Sequence, residues 1–281
     1  MAKENFIITN GWILDDPNIY ISEKDPEKQR VMFNFMTIRC NREDGNYIDK
    51  IFVDIPLVMS GNPKLVEQAR NFKKGDIVEV KGTVATKQIQ KRSFCKKCQT
   101  PHIEKGMIAY VNPIYMEQKE NIQDKEAAIA ALKKRKEISN NLFIIGSVVS
   151  PEIKTYQPPK GPLIASYQIA INRKYRMKDE PPEIKSDFPW IKAYGENAIR
   201  DKKCLSQGSL IMIDGYIQVR DIIRTAKCEN PECNEVYEWT DSTAEIVAYA
   251  TEYLQNYKTP EQLEQEEEEN IAAAKKSIFG E

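Results

Sequence analysis

The chain has 281 residues, 41% of them hydrophobic and 30% charged, and contains no apolar run near the roughly 18 to 20 residues that a membrane span needs. Its net charge of −1 conceals an asymmetry: Thr259 to Glu281 holds seven glutamates against Lys275 and Lys276, a net of −5, which leaves the body at +4. No membrane span is expected, the length suits two domains of ordinary size, and a mildly basic body can neutralise phosphates.

Met1 to Asn5 leads into a strand-like segment, Asn5-Phe6-Ile7-Ile8, with no basic and apolar leader, so the chain is expected to be cytoplasmic. Apolar and β-branched residues then recur with a period near two between Gly, Pro and Asn turns, the pattern of strands. A short amphipathic stretch from Pro63 to Phe72 predicts a helix, and Gly75 to Gly82 the strand after it. Cys95-Lys96-Lys97-Cys98 follows in the next loop, and Ile108-Ala109-Tyr110 falls in the strand that ends the half. Ile122 to Ile138, rich in Ala, Lys and Glu without Gly or Pro, predicts a helical linker. A solvated helix that only sets spacing is its expected role.

The same succession then recurs. Asn141 to Ile145 opens a strand as Asn5 to Ile8 does, a helix is predicted over about 197–206, and Gly208 to Gly215 matches Gly75 to Gly82 without gaps at an offset of 133. That offset also carries Cys95 onto Cys228, the first cysteine of Cys228-Glu229-Asn230-Pro231-Glu232-Cys233, and Val247-Ala248-Tyr249 closes this half. Five strands with a helix before the fourth is OB-fold order. The expected architecture is therefore mainly β: OB fold 1 at 1–118, a linker at 119–139, OB fold 2 at 140–256 and an acidic tail at 257–281, with a cysteine pair in each extended hairpin between strands four and five.

Six cysteines without a secretion signal argue against a disulfide framework. Two closely spaced pairs at corresponding places in a repeat predict structural zinc, which takes four N or S ligands. Cys95, Cys98, Cys228 and Cys233 could share one ion and lock the repeats together. Alternatively His102, the only histidine, could join the first pair, which would leave the second short of ligands; the shared site is favoured. Cys40 and Cys204 are expected to be buried small apolar residues. A single histidine and the absence of a Gly-rich phosphate loop predict no catalysis.

Pro151-Glu152-Ile153 through Tyr156, Ala165 to Asn172, Asp187-Phe188-Pro189-Trp190-Ile191-Lys192-Ala193-Tyr194-Gly195 and Gly208 to Arg220 make the second repeat resemble the bacterial single-strand DNA-binding protein family. The first repeat does so more weakly. The resemblance implies sequence-independent binding of single-stranded DNA in replication, recombination or repair, with bases stacked at Tyr175, Phe188 and Tyr194. Trp190 lies between them as an added platform, and even spacing places Phe188, Trp190 and Tyr194 on one strand face. Stacking on aromatics tolerates any sequence because every base has a π-face. Arg173, Lys174, Arg176, Lys192, Arg220 and Arg224 flank these rings as phosphate partners. In the first repeat Tyr47 and Phe52 are the nearest aromatic substitutes, Arg39, Arg42, Lys87, Lys91 and Arg92 the phosphate partners, and Trp12 a possible extra ring. The resemblance further implies a nucleoid-associated protein, a homodimer that assembles four barrels, and an acidic tail that docks replication or recombination proteins, although a solubilising disordered end suits the tail's composition as well. Typical members of the family lack the cysteine element. Tandem RNA binding, which only the 2′-OH separates from DNA binding, and a zinc-bearing scaffold of a replication or recombination complex are the alternative readings.

Overall fold

The computed structural model describes residues 4–23, 25–43, 46–175, 177 and 180–279; the side chains of 27, 40–43, 46–49 and 274–279 lie outside that description, and with them those of Cys40, Arg42 and Tyr47, as does Arg176 altogether. The first half contains β1 (Asn5–Ile13), β2 (Asn18–Ser22), β3 (Asp25–Glu43), β4 (Asn46–Asp54), β5 (Leu57–Ser60), α1 (Pro63–Ala69), β6 (Asp76–Phe94) and β7 (Pro101–Asn121). The linker helix α2 spans Lys125–Lys133. The second half contains β8 (Asn141–Val148), β9 (Lys154–Tyr156), β10 (Ile164–Asn172), β11 (Ser186–Asp187), β12 (Trp190–Tyr194), α3 (Glu196–Cys204), β13 (Leu210–Lys227) and β14 (Val236–Gln255), followed by α4 (Pro260–Phe279).

Each half closes a five-stranded barrel by the same pairing scheme. In the first, β1 pairs with β3, β3 with β5, β5 with β7 in parallel, β7 with β6, and β6 with β1. In the second, β8, β10, β12, β14 and β13 repeat that circuit, again with one parallel contact, Ile191 beside Ile246. These are two tandem OB folds. Strict alternation drives the strands: on β10, Ala165, Tyr167, Ile169 and Ile171 are buried and their neighbours are not. Asn62 caps α1 by accepting from the Lys64 N–H at 3.1 Å, and Leu65, Val66 and Ala69 form its buried side.

The repeated glycines have a geometric cause. Gly75 and Gly208 turn into the fourth strand of each barrel at φ +90° and +92°, a region that favours glycine. Gly82 and Gly215 sit at equivalent register shifts, where a Cβ would come within 2.3 Å of the Asn112 carbonyl oxygen and 2.2 Å of that of Val247.

The barrels share one sheet, because β1 pairs antiparallel with β8, Asn5 opposite Ile144. Asn5 bonds both backbone groups of Val84, and Asn140 does the same to Ile217, so Asn140, rather than the sequence-matched Asn141, is the counterpart of Asn5. One hydrophobic core runs from Ile7 and Val80 to Leu142, Ile144 and Ile213.

The linker corrects two expectations. Trp12, suggested as a stacking ring, is 6% exposed. Its indole N–H donates to the Ile122 carbonyl at 2.6 Å, and it packs with Ile38 and Ile77 against Ala128 and Leu132 of α2. The ring is therefore unavailable to a base, and α2 is docked by its apolar stripe rather than merely solvated. The tail forms α4, whose start is a reciprocal cap between Thr259 and Gln262. Among the described residues no helix is long and apolar enough to cross a membrane.

Candidate functional site

The β6–β7 and β13–β14 hairpins extend past their own barrels, and each lies on the other half. Two equivalent ion pairs hold them there. Arg39 Nε donates to Asp54 at 2.8 Å, and the second Asp54 oxygen accepts from the Val219 N–H at 3.2 Å. Arg173 Nε donates to Asp187 at 2.7 Å, and Asp187 also accepts from the Thr86 N–H at 2.7 Å. Thr86 and Val219 differ by the same 133 positions as the repeat. Arg39 is further enclosed between the Phe52 and Tyr216 rings, at 4.5 and 4.2 Å, and Glu180 is a second partner of Arg173. Burial outweighs the attraction of Arg39 and raises the Asp54 carboxyl. Both arginines, expected to meet phosphates, are side chains 7% exposed and already committed. Lys91 is corrected likewise: its ammonium is 8% exposed and lies 2.5 Å from Asp241. An ion in such a pair is costly to expose alone, so these groups fix the arms instead of contacting a ligand.

Farther out, the arms meet rung by rung. Ser93 pairs with Tyr237 at 3.0 Å. At the tip, Cys95 Sγ lies 3.8 Å from Cys233 Sγ and Cys98 Sγ 3.4 Å from Cys228 Sγ, and all four sulfurs fall within 4.8 Å of one another. Four thiolates around a tetrahedral metal with bonds of about 2.3 Å stand about 3.8 Å apart, so the donor set and its spacing fit one metal ion shared by both hairpins. Left-handed Gln99 and Asn234 turn the chain at each pair. The Thr100 hydroxyl beside Cys98 holds that thiol down to about 6, while burial pushes Cys228 up to about 12. His102 bonds Glu229 at 2.8 Å and stands outside the sulfur cluster. Cys204 is half-buried, its thiol raised by burial.

The aromatic face lies on the second barrel beside the first hairpin. On β12, Ile191 and Ala193 point into the core, leaving Trp190, Lys192 and Tyr194 on the other side. Trp190 is 42% exposed and Phe188 38%. Phe188 does not belong to the same strand, since the chain leaves the sheet at residues 188–189 between β11 and β12; it reaches the same region from a loop. Tyr175 is exposed in the turn after β10. Burial raises the Tyr194 hydroxyl and lowers the Lys192 ammonium, which donates to Ser166 at 2.9 Å. Arg220 is exposed and pairs with Glu245 at 3.0 Å, Arg224 pairs with Asp241 at 2.6 Å, and Lys174 with Glu4 at 3.3 Å. Arg92 is exposed and Lys87 half-buried on the first hairpin. In the first barrel Phe52 is half-buried with Lys50 over it at 5.2 Å. The face gains Lys105 and Met107, which sequence comparison passed over because they come from the opposite half; both line a groove with Phe188 and Trp190.

Three comparisons accompany this geometry. A family model described as the single-strand binding protein family matches residues 139–238. Single-stranded DNA-binding protein 1 of Staphylococcus aureus (strain MSSA476) is 31% identical over 121 residues, 43% of this chain and 68% of that protein. The single-stranded DNA-binding protein of Aquifex aeolicus (strain VF5) is 31% identical over 78 residues, 28% of this chain and 52% of that protein. Across both barrels, the wild-type single-stranded DNA binding protein from Thermus aquaticus superimposes with a TM-score of 0.58 at 12% identity, covering 91% of this chain and 95% of that one, a likeness of fold.

Proposed function

Because this chain belongs to the single-strand binding protein family, we propose that it binds single-stranded DNA without sequence preference and catalyses no reaction. The observation that carries this reading is the exposed pair Phe188 and Trp190, which line one groove with Arg224, while Lys192 and Tyr194 share the strand face of Trp190 and Arg220 meets Lys192 at Glu245. Rings in that setting take the π-face of any base, at about 1–3 kcal/mol each, and the cations meet phosphates. Tyr175, exposed in a separate groove with Phe6, Lys81, Tyr115 and Lys174, offers a further ring, while Lys87 and Arg92 extend the cationic track along the first hairpin. Through Arg39, Arg173 and Lys91 the protein holds its arms in place for that track.

The four cysteines hold a structural zinc, whose chemistry here is to cross-link the two hairpin tips. Cytoplasmic and nucleoid-associated work in replication, recombination or repair follows from the family. A homodimer supplies four barrels, and the exposed acidic face of α4 serves protein partners.

Titrating the protein with oligo-dT at several salt concentrations tests the binding. Trp190→Ala combined with Tyr194→Ala should weaken affinity by about 2–6 kcal/mol if both rings carry a base. Unchanged affinity at fixed salt would reassign those rings to packing.

A further inference from the structure

Phe188 stands between two grooves that neither half builds alone. On one side a groove of about 280 Å³ is lined by Lys105 and Met107 of β7, Trp190 of β12 and Arg224 of β13. On the other a groove of about 360 Å³ is lined by Lys87 and Gln88 of β6 and by Pro181 and Ile184 ahead of β11. Phe188, Met107 and Thr86 border both, so the ring and the thioether form a ridge between them. Hydrogen bonds hold the ridge on two sides. The Phe188 N–H donates to the Thr86 hydroxyl at 2.9 Å, the Phe188 carbonyl accepts from Gln168 Nε2 at 2.7 Å, and the same amide lies 3.9 Å from Met107 Sδ.

We propose that this ridge separates two successive nucleotides, with Phe188 inserted between their bases and Lys105 receiving the phosphate. The inference rests on the single-stranded DNA reading above, and adds to it a contribution of the first hairpin to the aromatic face of the second barrel. Each groove is about the smallest size at which ligand sites occur, which suits one nucleotide and not a run of them. One base lies toward Trp190 and the other toward Ile184, which is 45% exposed. Parting two stacked bases costs least in a strand that is already unpaired, so the ridge selects single strands over duplex. Arg224 is occupied by Asp241, whereas Lys105 is exposed and makes no ion pair among the described residues. It is the cation in this groove best placed to neutralise a phosphate.

The full chain can be tested with two oligonucleotides. Stacked adenines give oligo-dA a strong circular dichroism signal; saturation with the wild-type protein should remove more of it than saturation with Phe188→Ala. On oligo-dT, Lys105→Gln should reduce the slope of log affinity against log salt by about 1, and Met107→Ala should weaken binding severalfold. Equal loss of the adenine signal with wild type and Phe188→Ala overturns the ridge, and an unchanged salt slope removes Lys105 from the site. In either case weaker oligo-dT binding by Trp190→Ala leaves the single-stranded DNA reading standing. A wild-type protein that binds neither oligonucleotide would sink that reading itself. Metal content and unfolding midpoint show whether each variant keeps its fold, and Phe188→Val replaces Phe188→Ala if the latter does not.

Discussion

Asp54 and Asp187 each satisfy an arginine of their own barrel and a backbone N–H of the opposite hairpin. Removing the arginine would leave a buried carboxylate without its counter-ion. Arg39→Met and Arg173→Met are each expected to destabilise the protein by about 3–5 kcal/mol, measured as a lower denaturant midpoint at unchanged slope; a loss below about 1 kcal/mol would mean that water reaches the pairs. Asp201 offers a pH test. It is fully buried and accepts from the Tyr167 and Tyr253 hydroxyls at 2.7 and 2.8 Å, yet burial raises its carboxyl above the ordinary 3.8. The folded protein thus keeps a proton that the unfolded chain releases. The contribution of this group to stability falls as pH climbs from 3.8 through the folded value and is level beyond it. Asp201→Asn should flatten the melting temperature against pH over the window that begins at 3.8 and ends above the folded value. A curve parallel to wild type would show that the carboxyl does not titrate there.

Among the elements, the two hairpins matter most. A two-stranded ribbon is marginal in water by itself, and these run through registers as long as Asp76–Phe94 against Pro101–Asn121. Their outer parts are secured mutually, through Lys91 with Asp241, Ser93 with Tyr237 and the four sulfurs. One zinc per chain is therefore expected, and two per chain would break the shared site. Chelation should raise hydrogen exchange at 90–105 and at 222–240 together, since releasing one tip frees the other. Exchange confined to a single hairpin would contradict a common metal.

At the scale of the whole molecule, the β1–β8 pairing, the common core and the crossed arms join the barrels into one cooperative structure. Calorimetry of the metal-loaded protein should show a single unfolding transition whose calorimetric and van't Hoff enthalpies agree. Two resolved transitions would show that the halves unfold separately and that the locks contribute little.

Local chemistry was readable in the sequence wherever it repeats or alternates. The period of two marks the strands, the matched glycines mark the turn and the bulge that each fourth strand requires, and the spacing of the cysteines marks a metal-binding donor set. Helices over 63–69 and 196–204 fall where amphipathic stretches precede those glycines. What an isolated charge or ring does was not readable, because burial depends on the partner that folding brings to it. Arg39, Lys91 and Arg173 have the composition of phosphate ligands, and Trp12 that of a stacking ring; distant carboxylates and the linker helix claim them instead. Lys105 and Met107 carry no local signal at all. Sequence alone determined two OB barrels with paired cysteines, since backbone geometry and ligand spacing are local properties of the chain. Only the tertiary structure decided that each hairpin serves the opposite barrel, because that contact joins residues about a hundred or more positions apart, where periodicity carries no information.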